Sequence, residues 1–362
     1  MKFWDYSNLN KDKIGHMSQV AGLRHYEFMD GKAKGVEAVE VHTGAGLDFT
    51  VLPGRGMDIA WTQYRGMPVN YMSKTGIVSP GYYESEGMNW LHNFFAGTLT
   101  TCGLLNVGGP EKVEHPVIGE RNYGLHGRIS NSGAEQVALF EGWENGKYVM
   151  KVSGMVQEGI LHGEHLTLRR EISTELGSKE FRIKDVGTNH AAMPQDIMLL
   201  YHINVGYPIL DNGSRMIAAS KEITALSEAA AAELEQAVVC GEPMLNQVEH
   251  CYAHDMGTDA NDLVRVAFVN GNLEVGVALE YKKEALPYFN QWKMLNKKEY
   301  VIGLEPGNCL PIGYKKAKEK GLLDTLKADE SRTYEITYKI LDGKAEIEEY
   351  EKAIFKDTFK KV

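Results

Sequence analysis

The chain has 362 residues, 43% hydrophobic and 24% charged, which is an ordinary composition for a folded soluble protein. Its formal net charge of −10 disfavours nucleic acid or an anionic membrane surface as the main partner. No apolar run approaches a membrane span, residues 1–13 lack the apolar core of a signal peptide, and the four cysteines are widely spaced, so we expect a cytoplasmic protein with reduced thiols.

Alternation of apolar and polar residues with a period of two dominates the chain from residue 36 onward. The clearest runs lie at 47–51, 166–172, 273–279 and 334–340. Turn sequences containing Asn-Gly lie at 144–146, 211–213 and 270–271. Strands joined in this way predict a mainly β protein with a large antiparallel β-sandwich, rather than a parallel α/β sheet.

Helical signals are few and peripheral. The candidates are Leu9–His16, Ser85–Phe95 with Ser85 as N-cap, the alanine-rich stretch Ala225–Val239, and Lys344–Lys356. The alanine-rich stretch suits either a helix or a mobile insertion. No repeat, linker or composition shift marks a boundary, so we expect one domain over residues 1–362. It would carry an N-terminal helical extension over about 1–34 and a C-terminal helix over about 344–356.

The stretch Tyr300–Pro311 places a carboxylate, Glu305, at the end of an apolar run. Residues 301–304 predict a short strand, and a turn signal at 306–308 follows it. Burial there would raise the pKa of Glu305, which suits a general base that works near neutral pH. A structural ion pair with an arginine is the alternative.

Two histidines have similar surroundings. Glycines flank His126, so the backbone there can approach a ligand closely, and Arg128 would share its face in an extended segment. His202 lies in an apolar run, with Asn204 on the same face of the predicted strand. A turn histidine and a satisfied core histidine are the structural alternatives. One glutamate and two histidines from distant segments can supply acid/base chemistry.

Two further stretches suggest a polar ligand. Arg55 lies between two glycines, where a bend would let its guanidinium reach a ligand or pair with Asp58 in a surface turn. Residues 287–292, PYFNQW, combine aromatic rings with amides, which suits sugar recognition, although aromatic residues of β proteins also form cores.

Two other motifs are poor candidates for a site. The stretch His162–His165 lacks the HExxH spacing of a zinc motif, and 106–109 lacks the lysine and helix start of a phosphate loop. We therefore predict no metal site.

The order of three segments resembles the aldose 1-epimerase (galactose mutarotase-like) superfamily, and more closely its DUF4432 branch. They are LHG at 125–127, TNH at 188–190 leading to His202, and LEP at 304–306, within a resemblance spanning about residues 35–340. The resemblance implies a twisted antiparallel β-sandwich with the sugar in an open groove on its concave face. It also implies that His126 is the first active-site histidine, His202 the catalytic acid and Glu305 the catalytic base.

The resemblance further implies a carbohydrate isomerase that interconverts the α and β anomers of an aldose or sugar derivative. Glu305 would take the anomeric hydroxyl proton while His202 protonates the ring oxygen, which requires an ionised glutamate and a protonated histidine together. Hemiacetal opening is proton transfer, so no cofactor is needed. A non-catalytic carbohydrate-binding protein is the main alternative. A metal-assisted isomerase or lyase using His162, Glu164 and His165 is a third.

The chain departs from the family pattern at two places. Mutarotases carry an arginine in a GRxxNR segment, whereas residues 95–103 have none, so Arg55, or else Arg128, would replace it. The family's sugar-binding aspartate corresponds to Glu249, whose longer side chain argues against plain galactose as the substrate. Asn204, Gln291 and Trp292 complete the predicted substrate-binding set. A homodimer is compatible with the sequence.

Overall fold

The computed structural model describes residue 6 and residues 9–115, 117–356 and 358. These residues form two large antiparallel β-sheets, of twelve and eight strands, and two small two-stranded sheets. The larger sheet contains β1 (Gly22–Glu27), β2 (Glu37–His42), β3 (Leu47–Leu52), β4 (Asp58–Tyr64), β5 (Met67–Pro68), β8 (Leu99–Leu104), β15 (Gln195–Gly206), β17 (Ser220–Ala225), β18 (His250–Met256), β21 (Tyr288–Asn296), β22 (Glu299–Gly307) and β23 (Asp324–Leu326). The smaller sheet contains β11 (Glu135–Glu144), β12 (Lys147–Gly159), β13 (His165–Glu175), β14 (Glu180–Asn189), β16 (Arg215–Ala218), β19 (Leu263–Asn270), β20 (Val275–Lys282) and β24 (Ser331–Asp342). The small sheets pair β6 (Tyr71–Met72) with β7 (Ala96–Gly97), and β9 (Glu111–His115) with β10 (Gly119–Tyr123).

The strand order confirms the predicted mainly β, antiparallel sandwich. The larger sheet runs β1-β2-β3-β4-β8-β15-β22-β21-β18-β17, with β5 beside β4 and β23 beside β15. The smaller sheet runs β11-β12-β13-β14-β24-β20-β19-β16. A two-residue turn with positive φ at Asn145 and Gly146 joins β11 to β12, as the sequence predicted for a hairpin.

The main core lies between the two sheets, because buried side chains of both join one contacting cluster. Strand β15 shows the division: Tyr201 and Ile203 belong to this core, whereas Leu200 belongs to a second cluster. That second cluster covers the opposite face of the larger sheet with Trp90, Phe94 and Leu125 from the loops before β7 and after β10. The outer face of β15 is therefore also shielded from water.

A buried ion network crosses the core. Arg170 of the smaller sheet donates to both carboxylate oxygens of Asp185, at 2.8 and 2.6 Å. Its Nη1 reaches across to Thr101 at 2.9 Å and lies 3.4 Å from Asp58 of the larger sheet. The hydroxyl of Tyr201 completes the set by donating to Asp185 at 2.7 Å. Charged hydrogen bonds, as well as apolar packing, thus hold the two sheets together.

Most helical predictions need correction. The α-helices of the described residues are α1 (Glu228–Ala232), α2 (Tyr314–Glu319) and α3 (Lys344–Phe355), and 3-10 turns lie at Lys11–Lys13, Met17–Gln19, Gly31–Ala33, Pro80–Tyr82, Asn89–His92, Ile129–Asn131 and Leu234–Gln236. The C-terminal helix is confirmed, with Ile347 and Ile354 buried. The predictions of helices over Leu9–His16 and Ser85–Phe95 are wrong, because each segment forms only a 3-10 turn. The helical extension predicted over about 1–34 is also wrong for the residues described there, which form β1 and three 3-10 turns. The alanine-rich stretch forms one short helix, with Ser227 as its N-cap.

Two strand predictions also shift. Leu273 is exposed in the turn before β20, which begins at Val275. Strand β22 continues through Pro306 to Gly307, so Glu305 lies within the strand rather than at its end. All four cysteines are free thiols. Within the described ranges, no helix is long and apolar enough to cross a membrane.

Candidate active site

Adjacent central strands of the larger sheet place polar side chains side by side on its outer face. In the register that pairs Ile203 with Leu304, His202 of β15 and Glu305 of β22 fall opposite each other. On the far side of β22, Asn290 of β21 pairs directly with Glu305. Because directly opposed residues of antiparallel strands share a face, these side chains form one row.

The central contact of the row joins His202 Nε2 and Glu305 Oε1, which lie 3.2 Å apart. The two residues are only 6% and 4% exposed. Their orientation leaves Glu305 Oε1 and His202 Nδ1 without a hydrogen bond from any described residue. Buried polar atoms without partners are costly in a folded protein, so the pair is poised to bond to something else.

Burial shifts the pKa values of the pair in opposite directions. It raises the pKa of Glu305 to about 8, and the nearby negative charge of Glu249 adds to the effect. It lowers the pKa of His202 to about 3, with a smaller contribution from His126. At neutral pH the free protein therefore holds one proton on the pair, on the carboxyl group. The ionised glutamate and protonated histidine that the predicted roles require are therefore not the charge states of the free protein, because burial penalises both charges.

His126 is the second histidine at this face. Its backbone has a left-handed φ of 54°, and its ring lies 4.9 Å from Trp90 and 6.2 Å from the His202 ring. Burial lowers the pKa of His126 to about 4, so the ring is neutral at pH 7. Its Nδ1 accepts the Gly108 N–H at 3.4 Å. The proton of the neutral imidazole then lies on Nε2, where it can donate to a ligand oxygen.

Aromatic rings flank the His202 imidazole. The ring of Phe94 lies 5.1 Å from it and that of Trp292 lies 5.2 Å from it, with 6.2 Å between the two aromatic rings. The indole Nε1 of Trp292 donates to Glu249 at 2.8 Å, which fixes this exposed carboxylate beside the pair. The structure therefore brings together His202, Glu305, His126, Trp292 and Glu249 from the predicted set.

Asn290 was missed by the sequence analysis. It is 1% exposed, and neither its amide nitrogen nor its oxygen has a partner among the described residues. Period-two alternation could have found it, because Asn290 and Trp292 must share a face of β21 whereas Gln291 faces the other way. Asn204 also lies on the site face: its nitrogen donates to the carbonyls of Ala96 and His202, and its oxygen is unpartnered.

The prediction that Gln291 contacts the substrate is wrong. Gln291 pairs with the core residue Leu304, is fully buried, and points away from Glu305. Its side-chain oxygen bonds to His254 Nε2 at 3.0 Å, and its nitrogen donates to the Ala237 carbonyl at 2.6 Å. Both polar atoms of this amide are thus engaged, and the bond to Ala237 holds the 226–248 segment to the sheet.

The prediction that Arg55 contacts the substrate is also wrong. Its side chain is fully buried, and its guanidinium donates to the backbone carbonyls of Ser130 at 2.7 Å, Asn93 at 3.2 Å and Val78. These carbonyls belong to three separate loops. Each of the three guanidinium nitrogens therefore holds a loop beside the site, and the side chain does not reach the His202–Glu305 face.

Two other sequence candidates lie apart from the pair. The Nε of Arg128 is 3.8 Å from Glu158 of the smaller sheet, so the structure does not bring this guanidinium to His202. Glu164 forms a bidentate pair with Arg121, and the ring of His165 packs 5.1 Å from that of His190. No group of three or more ligating side chains within the described ranges is arranged to hold a metal ion.

A protein-family comparison matches residues 33–340 to a domain of unknown function, DUF4432. The chain belongs to this family, as its sequence predicted. No curated protein matches the chain.

Solved structures confirm the galactose mutarotase-like fold. The chain is 25% identical to a Klebsiella pneumoniae protein whose assignment as an aldose 1-epimerase is itself provisional, with a TM-score of 0.88 over 94% of this chain and 90% of that one. It is 11% identical to a galactose mutarotase-like protein from Clostridium acetobutylicum, with a TM-score of 0.61 over 90% and 99% of the two chains. It is 12% identical to galactose 1-epimerase from Lactobacillus acidophilus, with a TM-score of 0.59 over 89% and 99%.

Proposed function

We propose that this protein is a carbohydrate isomerase that exchanges the α and β anomers of an aldose or aldose derivative. The observation that supports it best is the buried His202–Glu305 pair, which holds one proton at neutral pH and has unpartnered polar atoms on the sheet face. The proposal includes one domain over residues 1–362, a cytoplasmic location, action without a cofactor, and a small-molecule carbohydrate as the partner. A homodimer stays a prediction.

The reaction needs one group that accepts a proton and one that donates it. Removal of the proton from the anomeric hydroxyl turns C1–O1 into a carbonyl, while protonation of the ring oxygen lets the C1–O5 bond break. Rotation about C1–C2 and reversal of both transfers close the ring as the other anomer. No proton is gained or lost overall. A pair that holds one proton can therefore donate one and accept one in each ring opening and closure.

The roles proposed for the pair follow the resemblance: Glu305 accepts the hydroxyl proton and His202 donates to the ring oxygen. Transfer of the shared proton from the carboxyl to His202 Nε2 when the sugar binds produces the form that these roles require. Because Glu305 Oε1 and His202 Nε2 lie 3.2 Å apart, the proton can pass directly between them. Attraction between the resulting charges in a buried site offsets part of their desolvation cost.

Other residues of the face would bind the sugar. Neutral His126 can donate from Nε2 to a ring substituent, and the amides of Asn290 and Asn204 have unused atoms for hydroxyl groups. The indole of Trp292 offers an apolar surface for the C–H face of a pyranose, and Glu249 can accept from hydroxyls at the rim.

The proposal is tested by measuring anomer exchange with saturation-transfer NMR on a panel of neutral and anionic aldoses. Accelerated exchange for at least one sugar supports it. Binding to the panel without acceleration would support the non-catalytic carbohydrate-binding alternative and contradict the isomerase.

A further inference from the structure

A buried carboxylate of the other sheet reaches the loop that carries His126. Glu158, on β12 of the smaller sheet, is 5% exposed. Its Oε2 accepts the backbone N–H of Leu104, at the end of β8, at 3.0 Å. Its Oε1 lies 3.8 Å from the Nε of Arg128, two residues after His126. The proposed reaction does not use this carboxylate.

The contacts of the 103–104 peptide join Glu158 to His126. The Gly103 N–H donates to the His126 carbonyl at 2.9 Å, and the Arg128 N–H donates to the Gly103 carbonyl at 3.0 Å. The next N–H along the chain, that of Leu104, donates to Glu158. One backbone residue therefore separates the carboxylate from the hydrogen bonds that hold the histidine loop. A left-handed residue such as His126 persists only where its surroundings hold it.

Charged and titratable groups face Glu158 from each neighbouring element. Arg128 comes from the histidine loop, Arg121 and Tyr123 from β10, Glu164 from the turn before β13, and Tyr83 from the loop after the 80–82 turn. Tyr83 itself donates to the Gly127 carbonyl at 3.0 Å. Burial raises the pKa of Glu158 to about 7; the Leu104 N–H, Arg128 and Arg121 oppose this rise, and Glu164 adds to it.

We propose that Glu158 is a positioning residue whose ionisation sets the geometry of the His126 loop. As a carboxylate, Glu158 accepts a strong hydrogen bond from the Leu104 N–H and attracts the Arg128 guanidinium. These two interactions order the loop on both sides of His126. As a neutral acid it loses the attraction to Arg128 and accepts more weakly. The histidine is then held best above neutral pH. The inference rests on the proposed function for its effect on anomer exchange, but its structural part can be measured separately.

The experiment follows the His126 ring resonances of the full-length protein by NMR as a function of pH, with the assignment taken from H126Q. We expect one transition near pH 4 from the ring itself and a second near pH 7 that reports Glu158. In Glu158→Gln the second transition is lost and the first remains. In Glu305→Gln, which abolishes the proposed catalytic base, the transition near pH 7 persists. Failure of the catalytic proposal is thereby distinguished from failure of this one.

Two neighbouring substitutions provide matched controls that avoid replacing Glu158. Arg128→Gln removes a cation that favours the carboxylate, so the second transition moves to higher pH. Glu164→Gln removes a nearby negative charge, so the transition moves to lower pH but survives. A transition near pH 7 that persists in Glu158→Gln, or that shifts in neither neighbouring variant, would overturn the inference.

Discussion

The Nε2 of His202 and the Oε1 of Glu305 lie 3.2 Å apart on adjacent strands, both residues almost fully buried. Burial is the main cause that drives the two pKa values apart, to about 3 and about 8, so the pair carries one proton over a wide pH range. Two titratable groups separated in this way by their environment are a common basis for acid/base catalysis.

The pH dependence of exchange follows from this pair. Above pH 8 Glu305 loses the shared proton, so we expect kcat/KM to fall with rising pH through a pKa of about 8. Glu249→Gln removes the negative charge that contributes to that pKa, and the alkaline limb should move to lower pH. Steady-state exchange rates between pH 5 and 10 check both expectations. An alkaline limb that stays in place in Glu249→Gln would contradict the assignment to Glu305.

Asn290→Leu should weaken sugar binding while leaving the free protein as stable as before, or more so. The amide is buried and has no partner among the described residues, so its removal costs no hydrogen bond and ends an unfavourable desolvation. Loss of a bond to a sugar hydroxyl should cost about tenfold in affinity. Calorimetric titration and thermal unfolding measure the two effects.

Asn308→Leu is the matched control for this prediction. Asn308 is equally buried, but its side chain bonds to the backbone of Leu199 and Ile197 and to the Tyr334 hydroxyl. Its replacement should lower the Tm, opposite in sign to Asn290→Leu. Equal destabilisation by both substitutions would show that Asn290 has a structural partner.

Gly303→Ala should impair exchange through Glu305. A Cβ at position 303 would lie 2.5 Å from Glu305 Oε1, so the carboxylate would have to leave its place beside His202. Displacement of a catalytic group by about 1 Å can cost about a hundredfold in rate. Gly271→Ala, with open space around its Cβ, is the control. Unchanged rates in both variants would mean that the carboxylate does not act from this position.

The buried ion network predicts a large effect on stability. Asp185→Ala leaves the fully buried Arg170 guanidinium without its bidentate partner, which should lower the free energy of unfolding by about 3 kcal/mol or more. Replacing Glu40, whose pair with Arg24 is exposed, should cost less than about 1 kcal/mol. Urea denaturation compares the two variants, and similar costs would contradict the account of the network.

The sequence predicted the antiparallel sandwich because two of its signals depend only on neighbouring residues. Period-two alternation reflects strands with one buried face, and Asn-Gly sequences mark the turns between them. Local surroundings marked His126, His202 and Glu305 as acid/base candidates, and the order of three short motifs then implied the role of each. The sequence could not place Arg55, since a Gly-Arg-Gly bend looks the same whether the guanidinium meets a ligand or three backbone carbonyls. Residues 85–95 were predicted as a helix with Ser85 as N-cap, but they form only a 3-10 turn at Asn89–His92, and Trp90 and Phe94 are buried by tertiary packing.

The choice between Gln291 and Asn290 shows a similar limit. Composition alone marks both amides as sugar ligands; alternation places Asn290 on the face of Trp292, and the register of β21 against β22 shows that this face carries Glu305. The pairing of Glu158 with the histidine loop joins positions distant in the chain, so no local pattern signals it.

The most direct test of the central claim is anomer exchange measured for the wild type and Glu305→Gln with the same sugar, together with the affinity of each for that sugar. The account predicts accelerated exchange in the wild type and a loss of at least about a hundredfold in the variant, with binding retained. Equal exchange rates in the two proteins, at comparable affinity, would contradict it.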